Sequence, residues 1–219
     1  MPNIFHSIAE LSTALCNRLL QLEKSHFESN ATPFVVAIAG GSLPSLLKQL
    51  KPVHPTKWII VLADERIVPL NHADSNAKLI YDNIGINKEQ VIVINPELEP
   101  KACAEDYATK IKQYLPLTVA LLGMGPDGHI CSLFPHHPLL QSIKQVDYIT
   151  DSPKPPPNRI TLTFPVLNLA STKLMVTTGS SKQEAVLKGI KRDKSVPVSH
   201  INDLEWWLDT EAATLLSKM

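Results

Sequence analysis

An imidazole and a carboxylate stand two residues apart in Gly123-Met124-Gly125-Pro126-Asp127-Gly128-His129. Imidazole is the side chain whose ordinary pKa lets it take a proton near neutral pH, and a neighbouring carboxylate can orient it. Ala63-Asp64-Glu65-Arg66 sets two carboxylates beside a guanidinium, whose rigid fork of donors suits phosphate or carboxylate. Asp74, Ser75 and Asn76 follow, and part of this cluster reads equally as a surface ion pair with Asp74 or Ser75 capping a helix. Gly40-Gly41-Ser42 before Pro44 lets backbone amides approach an anion, or makes a tight turn with Ser42 as N-cap. Gly179-Ser180-Ser181-Lys182 puts a cation at a helix start. There it opposes the helix dipole, which suits an anionic ligand, unless it only extends into solvent.

Other patterns carry less. Gly123, Gly125 and Gly128 satisfy the spacing of a dinucleotide-binding turn, but that turn needs a long helix at its third glycine. Here Pro126 occupies the turn, and Pro135 and Pro138 follow closely, which excludes a nucleotide-binding helix. His136-His137 point apart in an irregular turn with no third ligand, so no metal is expected. Lys188–Lys194 contains an acid and reads as a solvated helix end. Pro153–Pro157 is a short fixed loop leading to Arg159, which reaches the site or serves as an ion-pair partner.

These residues need elements to hold them. Ser7-Ile8-Ala9-Glu10 has capping-box spacing, and Ile8, Leu11, Leu15, Leu19 and Leu22 share one face, predicting a helix from about residue 7 into the mid-twenties. Strand-sized apolar runs follow at 34–39, 58–62, 91–94, 117–122 and 174–177, with a last strand at 205–208. Helix-like stretches lie at 44–50, 75–83, 103–111, 182–190 and 209–218. Trp206 and Trp207 read as core packing. The alternation predicts right-handed crossovers and a single three-layer, doubly wound α/β domain over residues 1–219, with a mostly parallel, Rossmann-like sheet. Ligands of such sheets sit beyond the carboxyl ends of the strands, where the glycine-rich and charged loops fall.

Composition narrows the function class. Lys+Arg and Asp+Glu are equal at 21 each, so no global field draws the chain to nucleic acid or an anionic membrane, and any anion is caught locally. No apolar run approaches the length of a membrane span, and no leader pattern is visible. The three cysteines, Cys16, Cys103 and Cys131, are widely spaced and form no disulfide framework, as expected of a cytoplasmic protein. A monomer or weak homo-oligomer is expected.

Taken together, Gly40-Gly41-Ser42, Asp64-Glu65-Arg66-Ile67-Val68 with Ser75-Asn76, the run from Gly123 through His129 to Pro135, Arg159-Ile160-Thr161 and Gly179-x-x-Lys182 resemble the glucosamine-6-phosphate deaminase/6-phosphogluconolactonase family over nearly the whole chain. The resemblance to its lactonase branch implies hydrolysis of 6-phospho-D-glucono-1,5-lactone to 6-phosphogluconate, in the oxidative pentose phosphate pathway, without cofactor or metal. It implies His129 as general base, Asp127 as its orienter and Asp64 as a shaper of the site. Gly40, Gly41, Ser42, Arg66, Asn76, Gly125, Arg159 and Lys182 are implied to hold the phosphorylated sugar, Arg66 at either the phosphate or the reacting end. Ala39 and Leu43 stand where the family commonly has serine and threonine, removing two hydroxyls but no amide. Cys131, in place of a small residue, reads as packing. Two alternatives stand beside this reading. A deaminase needs a further carboxylate where Phe134 lies, and tends to have an aromatic residue at Arg66. A sugar-phosphate-binding regulator would need no Asp127/His129 pair.

Overall fold

The computed structural model describes residues 1–218. Seven strands form one wholly parallel sheet: β1 (Asn3–Phe5), β2 (Phe34–Ile38), β3 (Trp58–Leu62), β5 (Val91–Ile92), β6 (Val119–Gly123), β9 (Thr172–Thr177) and β10 (Leu204–Asp209). Their order is β1-β10-β9-β6-β2-β3-β5. The chain runs outward from β2 through β3 to β5, then returns to the other side of β2 and continues through β6, β9 and β10. This is the doubly wound order, with its switch point between β2 and β6. Every residue of β2 is buried, as the continuous apolar run requires of a strand covered on both faces.

Five helices flank the sheet: α1 (Ile8–Ser29), α2 (Asn76–Asn83), α3 (Pro100–Ile111), α4 (Phe164–Asn168) and α5 (Gln183–Ile190). Ser7 caps α1 by accepting from the Glu10 amide, and the Glu10 carboxylate accepts from His6 N–H, one residue upstream of the expected reciprocal bond. Leu11, Leu15 and Leu19 are buried on the expected face, whereas Ile8 stays exposed. Trp207 is buried and stacked on Phe5 at 5.4 Å. Among the described residues no helix is long and apolar enough to cross a membrane.

Three expectations need correction. The segment after Gly41 is a short 3-10 turn, Pro44–Leu47, rather than a helix to residue 50. The stretch after β10 is likewise a turn and a 3-10 segment, Thr214–Lys218. β5 stops after two residues instead of four. A second, antiparallel sheet was not foreseen: β4 (Asp64–Arg66), β8 (Arg159–Leu162) and β7 (Val146–Ile149), in the order β4-β8-β7. Its strands have three or four residues, one is entirely charged, and pairing rather than alternation makes them strands.

Where β5 ends, Tyr107 of α3 takes over. Its buried hydroxyl accepts the Leu62 N–H at 2.7 Å and lies 3.2 Å from the Ile92 carbonyl, closing the gap between β3 and the stub of β5. Tyr107→Phe leaves the Leu62 amide buried without a partner and should lower stability by about 1–3 kcal/mol. Urea unfolding should show a lower midpoint with an unchanged slope.

Candidate active site

The loops after β2 and β6 face one another across the switch point and enclose a pocket of about 340 Å³. Its wall takes Gly40–Leu43 from the first loop, Gly123–Pro126 and His129 from the second, and Asp64, Arg66, Lys154, Arg159 and Lys182 from the surrounding elements.

Asp127 Oδ1 lies 2.5 Å from His129 Nδ1 and also accepts the His129 backbone N–H at 3.3 Å. A carboxylate only accepts, so we assign the proton to Nδ1, which leaves Nε2 with a free lone pair. Burial pushes the imidazole pKa below its ordinary value; the Asp127 bond and charge pull the other way, and Lys154 adds to the lowering. At Asp127, burial acts upward most strongly, but the hydrogen bonds and charge of His129, with Lys154, together outweigh it and the carboxyl sits below its usual range. The two directions lead to one state of the pair near neutral pH. The ring is far less exposed than the carboxylate, 15% against 41%, so its desolvation decides: a neutral imidazole beside an ionised Asp127. The loop holds this geometry through Gly125, whose N–H donates to the His129 carbonyl and whose carbonyl accepts from Gly128 N–H. The ring packs so closely on Gly125 that a Cβ there would lie 2.0 Å from His129 Cε1. Its other side meets buried Phe134, with centroids 4.7 Å apart.

Asp64 is buried on the opposite wall. It accepts from Ser132 Oγ at 2.8 Å and Asn76 Nδ2 at 3.2 Å. Asn76 also donates to the Asp64 carbonyl, and it packs on Gly40 so tightly that a Cβ there would come within 1.9 Å of Asn76 Oδ1. Asn76 is therefore behind the pocket wall, holding Asp64 and the glycine loop, rather than facing a ligand. Ser75 caps α2, as one reading expected.

Four cations line the pocket against one carboxylate, Asp64. Arg66 and Arg159 are directly opposed across β4 and β8, a like-charge pair that repels unless an anion lies near. Arg66 donates Nη1 to the Asp74 carbonyl, while its buried Nε has no partner. Arg159 makes no ion pair among the described residues; its guanidinium holds the carbonyls of Lys154, Pro155 and Pro156. Burial lowers the Lys182 pKa, with Asp209 acting upward and Lys154 downward. Two parts of the expected anion cradle differ. Gly179 N–H is already donated to the Asp209 carboxylate. Ser42 caps no helix: it is exposed at the pocket edge, and the short 3-10 turn supplies little macrodipole. The sequence reading places Ser132 in the run that carries the family resemblance but gives it no role, and it leaves out Lys154, whose signal was its place in the proline loop before Arg159.

A family model described as glucosamine-6-phosphate isomerases/6-phosphogluconolactonase matches residues 6–208. The chain belongs to this family. It is 41% identical to human 6-phosphogluconolactonase over 98% of this chain and 93% of that protein. Among solved structures, 6-phosphogluconolactonase from Trypanosoma cruzi superposes with a TM-score of 0.85 at 27% identity, covering 99% and 97% of the two chains. A monomeric glucosamine-6-phosphate deaminase shares the fold, with a TM-score of 0.79 at 20% identity over 98% and 100%. The sheet just described is thus the fold that these structures share.

Gly125→Ala must displace the imidazole. Nitrogen NMR of the histidine rings should show one Nδ1–H tautomer for His129 in the parent and a mixture in the variant, with the fold retained.

Proposed function

We propose that the chain hydrolyses 6-phospho-D-glucono-1,5-lactone to 6-phosphogluconate, with His129 as general base. The observation that carries this reading is a neutral imidazole, fixed by Asp127, in a pocket whose excess positive charge matches a phosphate dianion. Human 6-phosphogluconolactonase, at 41% identity, supports the same substrate.

His129 Nε2 removes a proton from water as the oxygen attacks the lactone carbonyl, giving a tetrahedral oxyanion. The ring oxygen then leaves with the proton returned from the imidazolium, so lactone and water become the open hydroxy acid. Asp127 holds the tautomer and steadies the transient imidazolium. Arg66 meets the negative charge of the substrate, Arg159 adds charge to the wall while its donors hold the loop carbonyls, and Lys182 with the Gly40–Ser42 backbone takes the phosphate. Asp64, tied to Ser132 and Asn76, shapes the wall. It is the only carboxylate lining the pocket among the described residues. That leaves no free acid for the ring opening and carbon proton transfer of a deaminase, since buried Phe134 stands beside the imidazole. A regulator without turnover needs the cations but not the Asp127–His129 pair.

His129→Ala should lower kcat by roughly 10²–10⁴ with little change in stability; acid release from fresh lactone, corrected for spontaneous hydrolysis, reads it. Protonation disables the base, and its pKa lies below the ordinary 6.5, so parent activity should stay level through neutral pH and fall only as pH drops below that value. A rate independent of pH down to 5 would remove His129 from the role. Lys182→Ala should raise KM by roughly 10- to 150-fold with kcat little changed, the mark of a charge on a non-reacting group.

A further inference from the structure

Lys154 reaches the pocket from the proline-rich loop between β7 and β8. Its backbone is tied at both polar atoms: N–H donates to Ser152 Oγ at 3.3 Å, and the carbonyl accepts from Ser152 Oγ at 2.9 Å and Arg159 Nη2 at 2.8 Å. The same guanidinium holds the Pro155 and Pro156 carbonyls at 3.1 and 2.9 Å, and Ser152 N–H closes the loop on the Pro157 carbonyl. Arg159 spends a buried, permanently charged fork on three consecutive carbonyls of a surface loop. Fixing a loop this firmly forfeits the freedom loops usually keep.

What the fixing presents is an ammonium. Among the described residues no carboxylate lies within ion-pair distance of Lys154. It is half-buried, lines the pocket with Lys182, and the two like charges act on one another. A lysine kept only for solubility would extend into water. Two unpaired ammoniums directed at one pocket are stabilised together by a dianion, whereas a lactone carbonyl carries one negative charge and only in passing.

We propose that Lys154 grips the substrate phosphate jointly with Lys182, and that Ser152 and Arg159 are positioning residues that hold Lys154 at the pocket rim. The proposal rests on the lactonase reading of the pocket. The readout is the ratio of kcat/KM for 6-phosphogluconolactone to that for unphosphorylated gluconolactone. Lys154→Met should lower this ratio roughly 10- to 100-fold through KM, and Lys154→Arg should restore most of it. Ser152→Ala should lower it roughly 3- to 10-fold in the parent and not at all in the Lys154→Met background. Inorganic phosphate, titrated by calorimetry, should weaken in parallel. An unchanged ratio and unchanged phosphate affinity in Lys154→Met would overturn the proposal, and an equal Ser152→Ala effect in both backgrounds would overturn the positioning role. Were the parent to hydrolyse neither lactone, the lactonase reading would fall, and the phosphate titration would still decide the place of Lys154.

Discussion

A single buried carboxylate joins the scaffold to the site. Glu65, fully buried in β4, accepts the amides of Arg66 at 2.7 Å, Asn76 at 2.8 Å and Ala77 at 2.9 Å, and the Ser75 hydroxyl at 3.1 Å. It therefore satisfies the first amides of α2, which water cannot reach, and pins that helix to the strand carrying Asp64 and Arg66. Asn76 follows in register and fixes Asp64 and Gly40 at once. Desolvation raises the Glu65 pKa to about 6 from 4.5, the amides of Ala77, Asn76 and Arg66 acting downward after it and Asp64 upward. The folded state thus holds this proton more tightly than the unfolded chain does. The stability it contributes is complete below pH 4.5 and is lost as pH rises through about 6. The hydrogen bonds limit that loss.

Desolvation governs the histidine as well, with the opposite sign of benefit. For a buried acid it disfavours the ionised form; for a buried imidazole it favours the neutral form, which is the one able to take a proton. The short bond to Asp127 then supplies orientation without charging the ring, while Lys154, which lines the same pocket, opposes protonation. As one of the cations lining the pocket, Lys154 thus also favours the neutral imidazole. Positive charge in the pocket and neutrality of the ring are therefore compatible, because a cation near the imidazole disfavours a second one on it.

How much of this was legible in the chain depends on range. The buried parallel strands were readable because continuous apolar runs such as Phe34–Ala39 admit few other uses, and α1 because its cap and stripe agree. Asp127 and His129 were readable because two residues of one loop must remain close. The Pro44 segment misled because its leucines have helical spacing, although the intervening chain settles into i→i+3 turns, with Leu46 N–H on Leu43 and Leu50 N–H on Leu47. The antiparallel sheet was invisible for a different reason. Nothing local tells Asp64-Glu65-Arg66 that it is a strand; its partner lies nearly a hundred residues away at Arg159–Thr161. Asn76, read as a ligand contact, was placed one layer too near the substrate because sequence proximity to Arg66 does not separate a wall from its support.

That same remote pairing explains why the pocket is charged as it is. Register sets Arg66 opposite Arg159, with no carboxylate in ion-pair contact with either among the described residues; burial lowers the Arg159 pKa, Asp64 acts against that from beyond ion-pair distance, and the Arg66 charge adds to the lowering. Carboxylates placed beside them would remove that penalty and neutralise the attraction for an anion. The fold instead uses backbone oxygens, the Asp74 carbonyl for Arg66 and the loop carbonyls for Arg159. A carbonyl accepts the hydrogen bonds and fixes the guanidinium plane while leaving its net charge in place, tempered at Arg159 only by Asp64, Asp74 and Glu65 beyond ion-pair distance. Orientation and charge are thereby separated: backbone oxygens hold the guanidiniums, while no ion pair neutralises either one among the described residues.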